Sequence, residues 1–233
     1  MQFPLEGRQV VVTGGAGALG TVVVGRLVEA GATCHVPSHG ARRASAGGGD
    51  ERIRIVEGVD LADEASVDRF YAAVPSLWAS VHLAGGFAMA PFADTTRAEV
   101  LRMFETNALT AFLCCRAAVR AMRKSGEGGR IVNVAARPGL DPRQGARMAA
   151  YATSKAAVVA LTLALAEEVK GERILVNAIA PSTLDTPANR EVMPAADPAK
   201  WLAPEAAAEA ILQLVSPANR EISGAVLPMY ARA

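Results

Sequence analysis

Tyr151 and Lys155 stand four residues apart in "YATSK", inside a run of small and apolar residues. On a helix, positions i and i+4 share a face, so the phenol and the ammonium reach a common point. A tyrosine hydroxyl titrates at about 10, too high for ready proton exchange near neutrality. A fixed positive charge beside it favours the phenolate and lowers that value. The pair is therefore a candidate acid–base device; the plainer alternative is an incidental pair on a solvated helix. A second stretch, "TGGAGALG" from Thr13 to Gly20, follows an apolar run and opens another helical pattern. Glycines there let the backbone turn tightly and approach a pyrophosphate, whose charge suits a helix N-terminus. An ordinary strand-to-helix turn would also use them.

The elements that must position these residues alternate along the chain. "RQVVVTGG", "TCHV", "RIRIVEGV", "ASVHLAGG", "GRIVNVAA", "RILVNAIAP" and "GAVLP" read as strands. Helical patterns lie between them: "LGTVVVGRLVEAGA", "EASVDRFYAAV", a long helix from about Arg97 to Lys124, one from about Ala149 to Val169, and "PEAAAEAILQLV". Such β–α alternation, with strands apolar along their length, predicts an α/β fold with a parallel sheet covered on both faces. No internal repeat or boundary divides the chain, so residues 1–233 are expected to form one domain. The Gly-, Ser- and Arg-rich stretch from Pro37 to Arg52 reads as a loop. The segment from Ser182 to Trp201, broken by Pro187, Pro194 and Pro198, is a second candidate for mobility, and 182–203 is the expected substrate lid.

Composition narrows the function classes. The 233 residues are 51% hydrophobic and 20% charged with a net charge of +1, which suits a globular core and offers no footprint for nucleic acid. The longest strongly apolar run, Ala156 to Ala166, is too short to span a bilayer, and no basic-then-apolar leader opens the chain. Cys34, Cys114 and Cys115 sit in apolar surroundings and read as reduced, buried thiols of a cytoplasmic protein. His35 and His82 fall on strands and read as structural; no His, Cys and carboxylate cluster has metal-ligand spacing, so no metal is expected.

Taken together, "TGGAGALG", Asn107 in "FETNALTAF", "YATSK" and "NAIAPSTLDT" resemble, in order and spacing, the short-chain dehydrogenase/reductase family over essentially the whole chain. The resemblance implies a single Rossmann-type, doubly wound domain with a seven-stranded parallel sheet, and a homo-oligomer (dimer or tetramer) acting on a small molecule. It makes Tyr151 the general acid/base and Lys155 the residue that holds the nicotinamide ribose and lowers the phenol's pKa. It makes Asn107 the anchor of a proton-relay water. The implied cofactor contacts are Gly14, Gly17, Ala18, Leu19 and Gly20 in the phosphate loop, His39 at the end of the second strand, and Asp60 and Leu61 at the adenine. Further contacts are Ala84, Gly85 and Gly86 of "HLAGG", and Pro181, Leu184 and Thr186 beside the carboxamide.

Two departures from the family pattern carry information. The strand that should close with the active-site serine reads "IVNVAA", so Ala136 stands there, and no Ser or Thr lies between it and Tyr151. That serine polarises the substrate carbonyl, an oxyanion-type role that a methyl group cannot fill. The phosphate loop carries Ala18 where a glycine is usual. Both features, with "TLDTPANREVMPAADPAKW", are similar to the quinonoid dihydropteridine reductases, whose electron-poor substrate needs little carbonyl activation. This implies an NAD(P)H-dependent reductase of a quinonoid or C=N-type substrate. The alternatives are a carbonyl reductase or alcohol dehydrogenase in which water or Asn133 supplies the donor, and a cofactor-binding sensor without turnover. At the end of the second strand, "HVPSHGARR" offers Ser38 or His39 and then Arg42 and Arg43 in place of an acid, which favours NADP(H) slightly over NAD(H). Met193 and Trp201 are candidates to cover a substrate.

Overall fold

The structure, a computed structural model, describes residues 4–40 and 49–230. Among them, seven strands form one parallel sheet in the order β3-β2-β1-β4-β5-β6-β7. They are β1 (Gln9–Thr13), β2 (Thr33–Ser38), β3 (Ile53–Glu57), β4 (Leu77–His82), β5 (Gly129–Val134), β6 (Ile174–Pro181) and β7 (Val226–Met229). The chain reverses its winding between β3 and β4, which brings the carboxyl ends of β1 and β4 side by side; ligands of doubly wound sheets bind outside that crevice. β4, β5 and β6 are apolar runs because helices cover both of their faces. β3 is the exception, an edge strand whose Ile55 and Val56 are exposed.

Helices α1 (Ala18–Glu29) and α8 (Pro204–Val215) pack on one face of the sheet around Val10, Val12, Val81, Val132 and Ile179. On the other face lie α2 (Glu64–Ala72), α4 (Thr110–Ser125) and α6 (Ala149–Glu168), against Val11, Ile131 and Val176. The cysteines are buried, as expected, and burial pushes the Cys34 and Cys114 thiols up to about 12. α6 has 20 residues with a mean hydropathy of 1.5, so by length and composition it could cross a membrane, unlike the shorter run seen in the sequence. Here it packs on the sheet and buries Lys155 in the protein.

The long helix expected over 97–124 is interrupted. α3 (Arg97–Met103) passes into a π-helical turn, Phe104–Leu109, and then into α4. A π turn inserts one extra residue into the helical ladder and re-aims the side chains that follow. Asn107 lies inside it and is buried. Short helices α5 (Arg137–Leu140) and α7 (Pro187–Val192) complete the carboxyl edge, each starting at a proline or the residue before one.

Candidate active site

The residues expected to form the phosphate loop make a tight turn. Gly14 has φ of +67°, and a Cβ on it would fall 2.7 Å from the Ala84 backbone nitrogen. A Cβ on Gly20 would lie 2.1 Å from the Gly14 carbonyl oxygen, so only glycine lets α1 press onto the loop. Gly17 is the N-cap, no side chain caps the helix, and the first turn holds no acid. Ala18, Leu19 and Gly20 therefore present a helix N-terminus open to an anion. Beside it lies a cleft of about 890 Å³ that gathers Gly14, His39, Asp60, Leu61 and Ala84. Asp60 is held there by Ala62, whose N–H donates to its Oδ1 at 2.9 Å. His39 is exposed at the rim. Arg42 and Arg43 lie outside the described residues.

The end of β4 is tied to both neighbours. The Ala84 N–H donates to Thr13 Oγ1 at 3.2 Å. The Gly86 N–H donates to Asn107 Oδ1 at 2.9 Å, and Asn107 Nδ2 donates back to the Gly86 carbonyl at 3.1 Å. Asn107 Nδ2 also donates to Ser154 Oγ at 3.0 Å, which fastens the π turn to α6. A Cβ on Gly85 would sit 2.7 Å from Asn107 Oδ1 and 3.3 Å from Lys155 Nζ. Glycine at 85 thus keeps open the space between two polar groups.

Lys155 is buried, and its ammonium donates to the Val134 carbonyl at 2.8 Å. With no carboxylate beside it, burial pushes its pKa down to about 8. Tyr151 stands one turn earlier, its ring edge-on to Phe87 with centroids 5.0 Å apart. Burial pushes the phenol up to about 12. The lowering expected from Lys155 is not met in the protein alone, where desolvation by burial acts on the phenol. A phenol held at that value is fully protonated at neutral pH, the state a proton donor requires.

Ala136 lies two residues past the end of β5, at the N-cap of α5, and is buried. Asn133, the substitute donor the sequence offers, is unavailable. It is fully buried, its Oδ1 lies 2.7 Å from His82 Nδ1, and its Nδ2 donates to Thr162 Oγ1 at 2.9 Å. His82 is structural, as expected, and burial pushes its pKa down to about 4. His35 is likewise buried, 2.8 Å from Gln9 Oε1. Among the described residues no group of His, Cys and acids could hold a metal.

Pro181 closes β6. Beyond it, the segment is clasped at its base: the Leu202 N–H donates to the Thr183 carbonyl and the Asp185 N–H to the Leu202 carbonyl, both at 2.8 Å. Leu184 bridges Leu202, and Thr186 caps α7 through the Asn189 N–H at 3.2 Å. Met193 and Trp201 are half-buried there. Sequence reasoning missed Ser154 as the brace of Asn107, Phe87 as the wall of Tyr151, and the pair Arg137 and Tyr230. Only Ser154 left a signal, its position between Tyr151 and Lys155 on the same helix.

Comparison with known proteins bears on the family and the fold. The family model described as short chain dehydrogenase matches residues 8–197. The chain is 34% identical to a galactitol 2-dehydrogenase of Rhizobium johnstonii over 99% of this chain and 96% of the relative. It is 32% identical to a sorbitol dehydrogenase of Cereibacter sphaeroides over 78% and 72% of the two chains. Among solved structures, a short-chain type dehydrogenase/reductase from Mycobacterium ulcerans superposes with a TM-score of 0.88 at 23% identity, covering 98% of this chain and 90% of that one. ElxO with NADP bound gives 0.86 at 23% identity, covering 96% and 97%.

Proposed function

This chain belongs to the short-chain dehydrogenase family and is an NAD(P)-dependent oxidoreductase, and we propose that it works as a reductase of an electron-poor, quinonoid or C=N-type substrate. The observation that carries the substrate class is Ala136. A buried methyl stands where a carbonyl would need a hydroxyl donor, and Asn133 is bonded elsewhere. A conjugated C=N or quinonoid system accepts hydride without that donor, because the added charge spreads over the ring.

The dinucleotide would lie along the crevice, its pyrophosphate on the α1 N-terminus and its adenosine in the cleft of His39, Asp60 and Leu61. Ala84, Gly85 and Gly86 would pass beneath the ribose, with Pro181, Leu184 and Thr186 beside the carboxamide. When bound in reduced form it supplies the hydride. Tyr151 then gives its hydroxyl proton to the substrate, a role a positioned acid fills for about 10²–10⁴-fold in rate. Lys155 keeps two N–H donors beyond its bond to Val134 and holds the ribose edge. Asn107 fixes Gly86 and Ser154, so the spacing between the β4 loop and α6 is set before ligand arrives. The side-chain amide of Asn107 is taken by these bonds, so a relay water would rest on the main chain of the π turn. The run 182–203 would close over the substrate from its clasped base, and NADP(H) is the favoured cofactor.

A second reading, an alcohol or polyol dehydrogenase, is favoured by what the galactitol and sorbitol relatives are called. It would need a water as the donor at Ala136. Tyr151→Phe tests the shared chemistry: cofactor binding should persist while turnover falls by about 10²-fold or more. Full activity would remove Tyr151 from the reaction.

A further inference from the structure

One residue past Ala136, Arg137 opens α5 and carries an unusual guanidinium. Its side chain makes no hydrogen bond and no ion pair among the described residues, and its Nε is shut off from solvent without a partner. The guanidinium lies over the Tyr230 ring, its carbon 4.8 Å from the centroid. Asp141, near enough to act on Tyr230, forms no ion pair with it. A buried N–H donor without a partner is costly unless something else satisfies it.

A second unspent donor lies at the same edge of the sheet. Ser182 Oγ is buried without a partner. β5 and β6 run together up to the bond from the Ala135 N–H to the Ile179 carbonyl at 2.9 Å, and both chains leave the sheet within three residues of it. The Ser182 N–H donates to the Met229 carbonyl at 3.0 Å, so Ser182 is tied to the residue preceding Tyr230. α5 in turn rests on the catalytic helix: a Cβ on Gly139 would lie 2.8 Å from Lys155 Cβ. Arg137, Tyr230 and Ser182 are therefore neighbours at the carboxyl edge of β5 and β6, next to Ala136 in the chain.

We propose that Arg137, held over the Tyr230 ring and assisted by Ser182, receives a carboxylate carried by the substrate. The fork of a guanidinium matches the two oxygens of a carboxylate, and an apolar, water-poor corner strengthens such a bond. The assignment rests on the reductase reading of this site and adds to it: the hydride acceptor is an anionic molecule whose carboxylate lies on the Ala136 side of the reacting atom. That end of the substrate, and not a hydroxyl at position 136, fixes its orientation.

The test uses anthraquinone-2-carboxylate and its methyl ester, each with NADPH, on the full chain and on Arg137→Gln, Arg137→Lys and Ser182→Ala. The ratio of kcat/KM for acid over ester should fall about tenfold to a hundredfold in Arg137→Gln, the usual worth of a charge-assisted pair. Arg137→Lys should recover part of that ratio, and Ser182→Ala should lose a smaller share. Calorimetry of anthraquinone-2-carboxylate on the NADP+-loaded protein, which has no hydride to give the quinone, should show the same order of affinities. A wild type that turns over neither quinone while still binding the acid more tightly than Arg137→Gln would sink the reductase reading and support the carboxylate site. An acid-to-ester ratio and a binding affinity both unchanged in Arg137→Gln would overturn the proposal.

Discussion

The Lys155 ammonium donates to the Val134 carbonyl at 2.8 Å, joining the middle of α6 to the end of β5 with no acid to offset the buried charge. Lowering its pKa from 10.5 to about 8 costs the fold about 3 kcal/mol at neutral pH. The folded value lies below the unfolded one, so this penalty is present in full below about pH 8 and is relieved as pH rises toward 10.5. Lys155→Met should therefore raise the Tm by several degrees at pH 7, and its advantage over wild type should shrink across that window. Thermal denaturation of both proteins at each pH checks this. A variant that melts lower at pH 7 would contradict it.

Gly85→Ala should cripple the enzyme without unfolding it. Its methyl would meet Asn107 Oδ1 at 2.7 Å and crowd Lys155 Nζ at 3.3 Å, forcing apart the clamp on Gly86. A misplacement on this scale costs about 10²-fold in rate. The check is kcat alongside circular dichroism, and wild-type turnover would show that the space at residue 85 is unused.

Cofactor choice should lean on the rim of the cleft. No acid follows β2; Ser38 donates to the Gly40 carbonyl at 3.0 Å and His39 is exposed beside it. With Arg42 and Arg43 next in sequence, NADPH should bind more tightly than NADH, and the gap should narrow as salt rises. Calorimetry at two ionic strengths measures it. Equal affinities, unmoved by replacing both arginines with alanine, would end the preference.

Ala136→Ser should add or raise reduction of simple ketones while leaving quinonoid substrates similar or slower. One well-placed oxyanion donor is worth about 2.7–4 kcal/mol, so a gain is measurable as kcat/KM on a ketone series. No gain on any ketone would mean that residue 136 does not face the reacting oxygen.

The sheet was legible because β–α alternation and apolar strand runs are local signals that tertiary packing reinforces. Each of the seven expected strands is present, and the helix carrying "YATSK" falls within a residue of its expected ends. The π turn was not legible: "FETNALTAF" has ordinary helical composition, and the extra residue shows only once Asn107 is bonded to Gly86 and Ser154. The phenol's pKa went the other way for a similar reason. Spacing puts an ammonium one turn from Tyr151, but spacing does not report how deeply both are buried. Arg137 and Tyr230 are 93 positions apart, and nothing in either neighbourhood announces that they meet. Asn133 read as an available donor until its bonds to His82 and Thr162 were in view.

The central claim is that a protonated Tyr151 serves a hydride acceptor that needs no donor at residue 136. The most direct measurement is the wild-type kcat/KM, followed by nicotinamide absorbance, for a quinonoid dihydropterin, a set of simple ketones, and galactitol and sorbitol in the oxidative direction. The quinonoid substrate should be reduced with the highest efficiency, and Tyr151→Phe should lower that rate. Efficient oxidation of the polyols or reduction of the ketones, with the quinonoid compound ignored, would contradict it.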